Sequence, residues 1–316
     1  MPSILIWTIA AGAIAGILFR PRDWPEAVWA VLGAVLLVAG RLISPSSAAS
    51  AILKGADVYL FLTGMMLLAD LARREGVFDW LAHHAVHASR GSRTRLFVLV
   101  YLVGILVTVF LSNDATAVVL TPAVYAAVRR ARTDAEPYLF ACALIANAAS
   151  FVLPISNPAN LVVYGKTLPP LVPWLREFAL PSLLSIATTF AVLRFFFRRP
   201  LHGTVEIAQD DVPLSASGRR AVWGLLFTAA VLISASTLGL DLGLPTCVAA
   251  LFAVLVATRA DLRAAWEIAR EVSWSVLPLV AGLFVLVEGM NQAGAAGALA
   301  ESLRHFETMP PWAAAL

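Results

Sequence analysis

Seven apolar runs follow one another along this chain, at residues 3–19, 25–40, 95–111, 137–153, 178–193, 221–240 and 244–258. Each approaches the roughly 20 residues that cross a bilayer core. Backbone in lipid has to satisfy its own N–H and C=O groups, so runs of this kind are helices or strands of a closed barrel. The alternating pattern of barrel strands is missing from them, which leaves helices. Composition agrees: 60% of the residues are hydrophobic, 14% are charged and the mean hydropathy is +0.82, against about 25% charged in soluble domains. The expected fold class is an all-α polytopic membrane protein. The first run is followed, not preceded, by Arg20 and Arg22, so it reads as a membrane helix and not as a leader peptide. A net charge of +3 carried in loops does not describe a nucleic-acid surface. Cys142 and Cys247 both fall in apolar runs, so no disulfide framework is implied, and no cofactor motif is present.

Basic residues set the orientation of such a chain. With the N-terminus outside, 18 of the 23 Lys and Arg residues fall on the cytoplasmic side, and Arg41, Lys54, Lys166, Arg176 and Arg304 fall outside. That count requires 95–130 to enter and leave from the same side. The reading is therefore a re-entrant hairpin with its tip near Ser112–Asp114; the alternative is one long kinked helix followed by a loop.

A shift of 218 residues aligns two stretches of the chain without gaps. Leu37-Val38-Ala39 falls on Leu255-Val256-Ala257, Arg41 on Arg259, Gly64 on Gly282, Asp70 on Glu288, Gly76 on Gly294 and Leu81 on Leu299. The repeated Arg, Gly, acid and Gly at one offset mark an internal repeat. In the orientation above, 25–40 runs outward and 244–258 inward. The expectation is inverted-topology repeats with broken helices, the architecture of alternating-access carriers. Residues 1–198 form the first membrane half, with the hairpin at 95–130 and a broken helix at 137–165. Residues 199–219 form a cytoplasmic linker, and 220–316 an incomplete second half. The counterpart of Ser112–Asp114 would sit near position 330, whereas the chain stops at Leu316.

Two polar interruptions break the apolar runs. One is Ser112-Asn113-Asp114-Ala115-Thr116, with Thr121-Pro122 behind it; the other is Asn147, Ser150 and Pro154, then Ser156-Asn157-Pro158-Ala159-Asn160. Ser, Asn and Pro loosen helix hydrogen bonding and free backbone groups. At membrane depth such breaks are tolerated where they are buried or line a cavity. Simple kinks and packing contacts are the plainer reading of either break alone. Asp114 is the sharpest residue, because a carboxylate within a membrane segment is costly and marks function by default. A structural role, capping the helix that begins at Ala115, is the alternative and is compatible with function. Asp70 and Glu288 are weaker candidates that could face water near a helix end, and Asp57 and Asp241 look structural. His83, His84 and His87 carry no metal motif and read as one face of an interfacial amphipathic helix. The stretch 261–271 reads as another short interfacial helix.

Phe110-Leu111-Ser112-Asn113-Asp114-Ala115-Thr116 through Pro122 resembles the asparagine–aspartate hairpin of arsenical (arsenite) efflux pumps. Leu144 to Ser150, followed by Pro154 to Leu161, resembles their second broken helix. Those pumps belong to the ion transporter superfamily, with sodium/proton antiporters and dicarboxylate carriers, and the resemblance covers nearly the whole chain as a C-terminally truncated pump. It implies a carrier of the inner membrane that exports arsenite or antimonite in exchange for protons, without cofactor or metal. Some relatives also work with a cytoplasmic arsenite-dependent ATPase. Carried over, Asn113, Asp114 and Thr116 lie at one tip and Ser156, Asn157 and Asn160 at the other. Ser112 and Asn147 complete the substrate-binding candidates, and Asp114 is the proton-coupling candidate.

One departure bears on the substrate. Dicarboxylate carriers typically show Ser-Asn-Thr where this chain has Ser112-Asn113-Asp114. A carboxylate there repels an anion and suits a neutral species such as undissociated arsenous acid, or a cation. Soft As(III) prefers thiolates, but two cysteines cannot make a three-thiolate site. A neutral trihydroxide could instead be held by Asn and Ser side chains and freed carbonyls. The nearest rival is a sodium/proton antiporter, or another anion carrier, on the same fold. An intramembrane enzyme would need a nucleophile–base pair or a metal motif within the helices, and neither is seen.

Overall fold

The computed structural model describes residues 2–206 and 213–294. Leu299, Arg304 and Trp312–Leu316, on which parts of the repeat and topology readings rest, lie outside the described residues, as does 207–212 of the expected linker. The chain divides into two compact units, one of Met1–Ala56 with Ser273–Leu316 and one of Asp57–Val272. Among the described residues all regular structure is helical, apart from one isolated bridge between Ser92 and Thr204.

The first unit contains α1 (Pro2–Phe19), α2 (Glu26–Ala39), α3 (Pro45–Lys54) and α14 (Val276–Gln292). The buried residues of α2 are Ala27, Ala30, Gly33 and Leu37. Their three- and four-residue spacing places them on one face, and small side chains there let neighbouring helices approach closely. A Cβ placed on Gly282 of α14 would stand 2.7 Å from the Ala30 carbonyl carbon, so only glycine fits. Ser44 caps α3 by accepting from the Ser47 amide at 3.0 Å. At the other end of α3, Lys54 Nζ pairs with Glu288 of α14 at 3.0 Å, and Gln292 donates to the same carboxylate at 3.2 Å.

The second unit holds α4 (Ala56–Arg74), α5 (Val77–Ala88), α6 (Arg93–Phe110), α7 (Thr121–Arg130), α8 (Glu136–Ala148), α9 (Pro158–Tyr164), α10 (Leu171–Phe196), α11 (Ala216–Thr237), α12 (Gly243–Ala257) and α13 (Leu262–Glu271). Of the described helices, α6, α10 and α11 are each long and apolar enough to cross a membrane; α1, α2 and α12 are apolar but shorter. The chain is a multi-pass, all-α membrane protein.

The repeat is visible in the backbone. Shifted by 218 residues, the ranges of α2, α3 and α4 fall on α12, α13 and α14 to within two residues at each end. Arg41 and Arg259, the first pair of turn residues, both take left-handed backbone, with φ of 54° and 55°. Gly76 and Gly294 do the same at 71° and 94°. A left-handed arginine costs about 1–2 kcal/mol, so its recurrence at one offset reflects the same turn built twice. The third helix of each repeat packs with the other repeat: α14 lies on α2, and Gly64 of α4 lies against Thr246 of α12, where an added Cβ would meet the Thr246 carbonyl carbon at 2.8 Å. Asp57 is structural, as expected, accepting from the Gly243 amide at 2.6 Å at the start of α12.

The segment expected to be re-entrant does turn back. Helix α6 ends at Phe110, the chain breaks at Leu111–Ser112, and helix resumes through a π-helical turn at Ala115–Leu120 into α7. Both outer ends are held by one short stretch. The Gly91 carbonyl accepts from the Val205 amide at 2.9 Å, and the Ala131 carbonyl accepts from the Glu206 amide at 3.1 Å. Two residues 40 positions apart thus bond to consecutive amides, which a long kinked helix of that span could not do, since it would be tens of ångströms long. Arg93 adds bonds to the Thr204 and Pro200 carbonyls, and Arg132 pairs with Glu206 at 3.3 Å.

The apolar run at 137–153 does not stay helical to its end. Helix α8 stops at Ala148. Pro154 and Pro158 lack the amides needed to continue it and push the preceding residues out of helical backbone; Leu153 and Asn157 are indeed extended.

Replacing Gly282 or Gly64 with valine should destabilise the protein by about 1–3 kcal/mol through overpacking. Gly12→Ala, where an added Cβ meets nothing within 4 Å, should be neutral or stabilising. Reversible unfolding in mixed micelles checks both; equal stability of all three variants would refute the packing described.

Candidate functional site

A helix broken at membrane depth leaves carbonyls without amide partners, and each must find another donor. In the second unit most of these donors are polar side chains of the two interruptions themselves. Ser156 Oγ donates to the Val109 carbonyl at the end of α6 at 3.1 Å, and accepts from the Leu153 amide at 3.1 Å. That bond ties the second break to the first. Asn160 Nδ2 donates to the Ser150 and Pro154 carbonyls, both at 3.2 Å. Thr121 Oγ1 donates to the Thr116 carbonyl at 2.8 Å, and Ser150 Oγ to the Ala146 carbonyl at 2.6 Å. Within the hairpin, the Thr108 and Thr116 hydroxyls bond across the break at 2.8 Å. Ser112, Thr116, Ser150, Ser156 and Asn160 are all buried.

The site residues expected from the sequence therefore divide by role once placed in the fold. Ser112, Ser156 and Asn160 bond to backbone, Thr116 bonds to the Thr108 hydroxyl, and together they frame the breaks. Asn113 and Asn157 are half-buried at the two break points, and Asp114 is exposed beside Asn113. Asn157 Oδ1 caps α9 by accepting from the Ala159 amide at 2.9 Å, which leaves its NH₂ group as the side chain's donor end. The capping role considered for Asp114 belongs to its neighbours: Ser112 Oγ accepts from the Ala115 amide at 3.1 Å and Asn113 Oδ1 from the Asp114 amide at 2.9 Å. Asp114 is itself in helical conformation and its carboxylate makes no capping bond. Asn147 is placed apart from the tips. It is exposed, donates to the Ala143 carbonyl at 3.3 Å, and shares an open groove with Ser185, Thr188 and Thr189 of α10.

Two contributors lie outside the polar interruptions. Trp174, fully buried in the first turn of α10, donates Nε1 to the Phe151 carbonyl at 3.0 Å and stacks on Phe178 at 4.3 Å. Thr108 belongs to an apolar run with no local signal of its role. A tryptophan inside an amphipathic stretch is ordinarily an interface anchor, so its service to a carbonyl 23 residues away is legible only in the fold.

The paired acids of the repeat resolve as structural ion pairs. Asp70 accepts from Arg73 at 3.0 Å, and Arg73 also holds Glu271 of α13 at 2.6 Å; Arg74 pairs with Glu267. Glu288 is held by Lys54, as above. The His83, His84 and His87 helix is α5, as expected, and among the described residues no group of three or more His, Cys, Asp or Glu side chains is placed to hold a metal.

Residues 6–316 match a protein family described as citrate transporter. The chain is 24% identical over 311 residues to an arsenical pump membrane protein of Escherichia coli, covering 95% of this chain and 72% of that one. It is 26% identical over 238 residues to an arsenical pump membrane protein of Yersinia enterocolitica, covering 73% of this chain and 56% of the relative. It is 32% identical over 151 residues to a putative arsenical pump membrane protein of Bacillus subtilis (strain 168), covering 46% of this chain and 34% of the relative. The chain thus spans just over half to about three quarters of the length of the first two relatives.

The division into frame and tip makes a direct prediction. Asn160→Ala strands two buried carbonyls and should cost about 2–3 kcal/mol of stability, whereas Asn113→Ala should stay within about 0.5 kcal/mol of wild type. Chemical unfolding of the two purified variants checks this, and similar losses in both would show that the division is wrong.

Proposed function

Since the chain belongs to the citrate transporter family, we propose that this membrane transporter is a secondary carrier that moves arsenite or antimonite out of the cytoplasm across the inner membrane in exchange for protons. Asn113 and Asn157 bind the substrate, with Asp114 as the proton-coupling group. The observation that carries this reading is the carboxylate of Asp114 at the break of the hairpin, beside the Asn113 side chain and without a capping bond of its own. A neutral trihydroxide offers three hydroxyls to amide donors and acceptors. Binding of that kind is weak enough to release cargo, and it needs no thiolate cage. The names of the relatives in Escherichia coli and Yersinia enterocolitica support the same substrate.

The family's description favours a second reading, a citrate or other carboxylate carrier. Asp114 speaks against it. In its ionised form a carboxylate at the tip repels a multiply charged anion, and low-dielectric surroundings strengthen the repulsion. A sodium/proton antiporter on the same fold is compatible with the carboxylate.

Everted membrane vesicles carrying the chain separate these readings. With a proton gradient they should accumulate arsenite and not citrate, and Asp114→Asn should lower the rate by roughly tenfold or more, equivalent to about 1.4 kcal/mol. Citrate accumulation, or sodium-driven proton release without any arsenite uptake, would overturn the substrate assignment. An Asp114→Asn variant that still concentrates arsenite against the gradient would overturn the role of Asp114.

A further inference from the structure

Helix α10 is 26 residues long, and of its described side chains only Trp174, Ser182 and Leu193 are buried. Most of its length is therefore presented outside the protein, where an apolar surface of this chain meets acyl chains. Its C-terminal end changes character within one turn. Phe195 and Phe196 are 63% and 73% exposed, Arg198 lies over the Phe195 ring with its guanidinium carbon 5.1 Å from the centroid, and Arg199 follows. A helix C-terminus favours cations, and an aromatic face beside an arginine is an arrangement of the membrane–water boundary.

The chain then folds directly onto the base of the hairpin. Residues 200–206 receive or donate the bonds that hold Gly91, Arg93, Thr94 and Ala131. This brings Arg90, Arg93 and Arg132 to the same place as Arg198, Arg199 and His202. Of the acids near this base, Glu206 pairs with Arg132, Asp79 lines a cavity with Glu206, Arg130 and Ala131, and Asp134 accepts from the Glu136 amide. What remains is a collar of guanidinium groups in which, among the described residues, Arg198 and Arg199 hold no carboxylate, while Arg132 is paired; it is bordered on one side by the exposed phenylalanines and the apolar face of α10. A small free anion would use the charge and leave the apolar border uncovered. A ligand with a phosphate head and hydrocarbon tails matches both parts.

We propose that this collar binds an anionic phospholipid, with the phosphate held by Arg198 and Arg199 against the base of the hairpin and the acyl chains laid along α10. The lipid joins the hydrogen-bonded stretch 200–206 in fixing the two ends of the hairpin.

Intact-protein mass spectrometry of the detergent-purified chain, with phosphatidylglycerol and phosphatidylcholine at equal concentration, tests the assignment. Phosphatidylglycerol adducts should dominate. In R198Q/R199Q their affinity should fall roughly 30-fold, at about a factor of five per arginine, while R198K/R199K, which keeps both charges, should retain most of it. An excess of glycerol 3-phosphate or inorganic phosphate, at roughly 100 mM and constant ionic strength, should not displace the lipid. Equal binding of the two lipids, or unchanged phosphatidylglycerol binding in R198Q/R199Q, would overturn the proposal. So would displacement by either free phosphate, which would make the collar a small-anion site. If R198Q/R199Q fails to fold, the lysine variant decides: loss of phosphatidylglycerol binding in a folded R198K/R199K also counts against the assignment.

Discussion

A carbonyl freed from a helix at membrane depth has to be given a donor, and that requirement organises the second unit of this protein. The two broken helices are possible because Ser156, Asn160 and Trp174 reach the carbonyls that the breaks release. In hydrocarbon the alternative to each of these bonds is an orphaned polar group at several kcal/mol. The polar residues of the interruptions are thus first of all structural. At the break points themselves stand Asn113, Asp114 and Asn157, the residues that the proposed function assigns to ligand and proton.

Carbonyls are given donors at the base of the hairpin as well. A segment that turns back inside a membrane brings both of its ends to one surface. There the stretch 200–206 pairs with Gly91 and Ala131 through neighbouring amides. The tip is held from the other side by the bond from Ser156 to Val109. Fixed at both places, the hairpin carries Asp114 at its break. What the internal repeat shares between the units is the glycine packing of its third helix. In the first unit α14 packs on α2 through Gly282, as α4 meets α12 through Gly64 in the second unit.

Much of this was legible in the sequence because bilayer physics leaves few choices. Long apolar runs had to be helices. The arginines at 90–95 and 129–132 had to share a side, and a 218-residue offset that aligned Arg41 with Arg259 anticipated two turns with the same left-handed backbone. The breaks were legible as clusters of Ser, Asn and Pro. Which polar atom serves which carbonyl was not, because the partners are remote: Trp174 answers Phe151, and Ser156 answers Val109. Asn147 illustrates the converse. It stands close to the second break in sequence, yet the end of α8 at Ala148 turns it into a groove with Ser185, Thr188 and Thr189. The cap expected of Asp114 falls two residues earlier, at Ser112, for a similar reason, since the backbone at Asp114 is already helical.

The arrangement of the two breaks depends on the hairpin returning to the side it entered, and sided labelling tests this most directly. With Cys142 and Cys247 replaced by alanine, single cysteines are placed at the exposed positions Arg90 and Arg132, and a membrane-impermeant maleimide is applied to right-side-out and to everted vesicles. Both positions should label in everted vesicles and be protected in right-side-out ones. Labelling of Arg90→Cys from one side and Arg132→Cys from the other would mean that 93–130 crosses the membrane, and the arrangement of the two breaks described above would not stand.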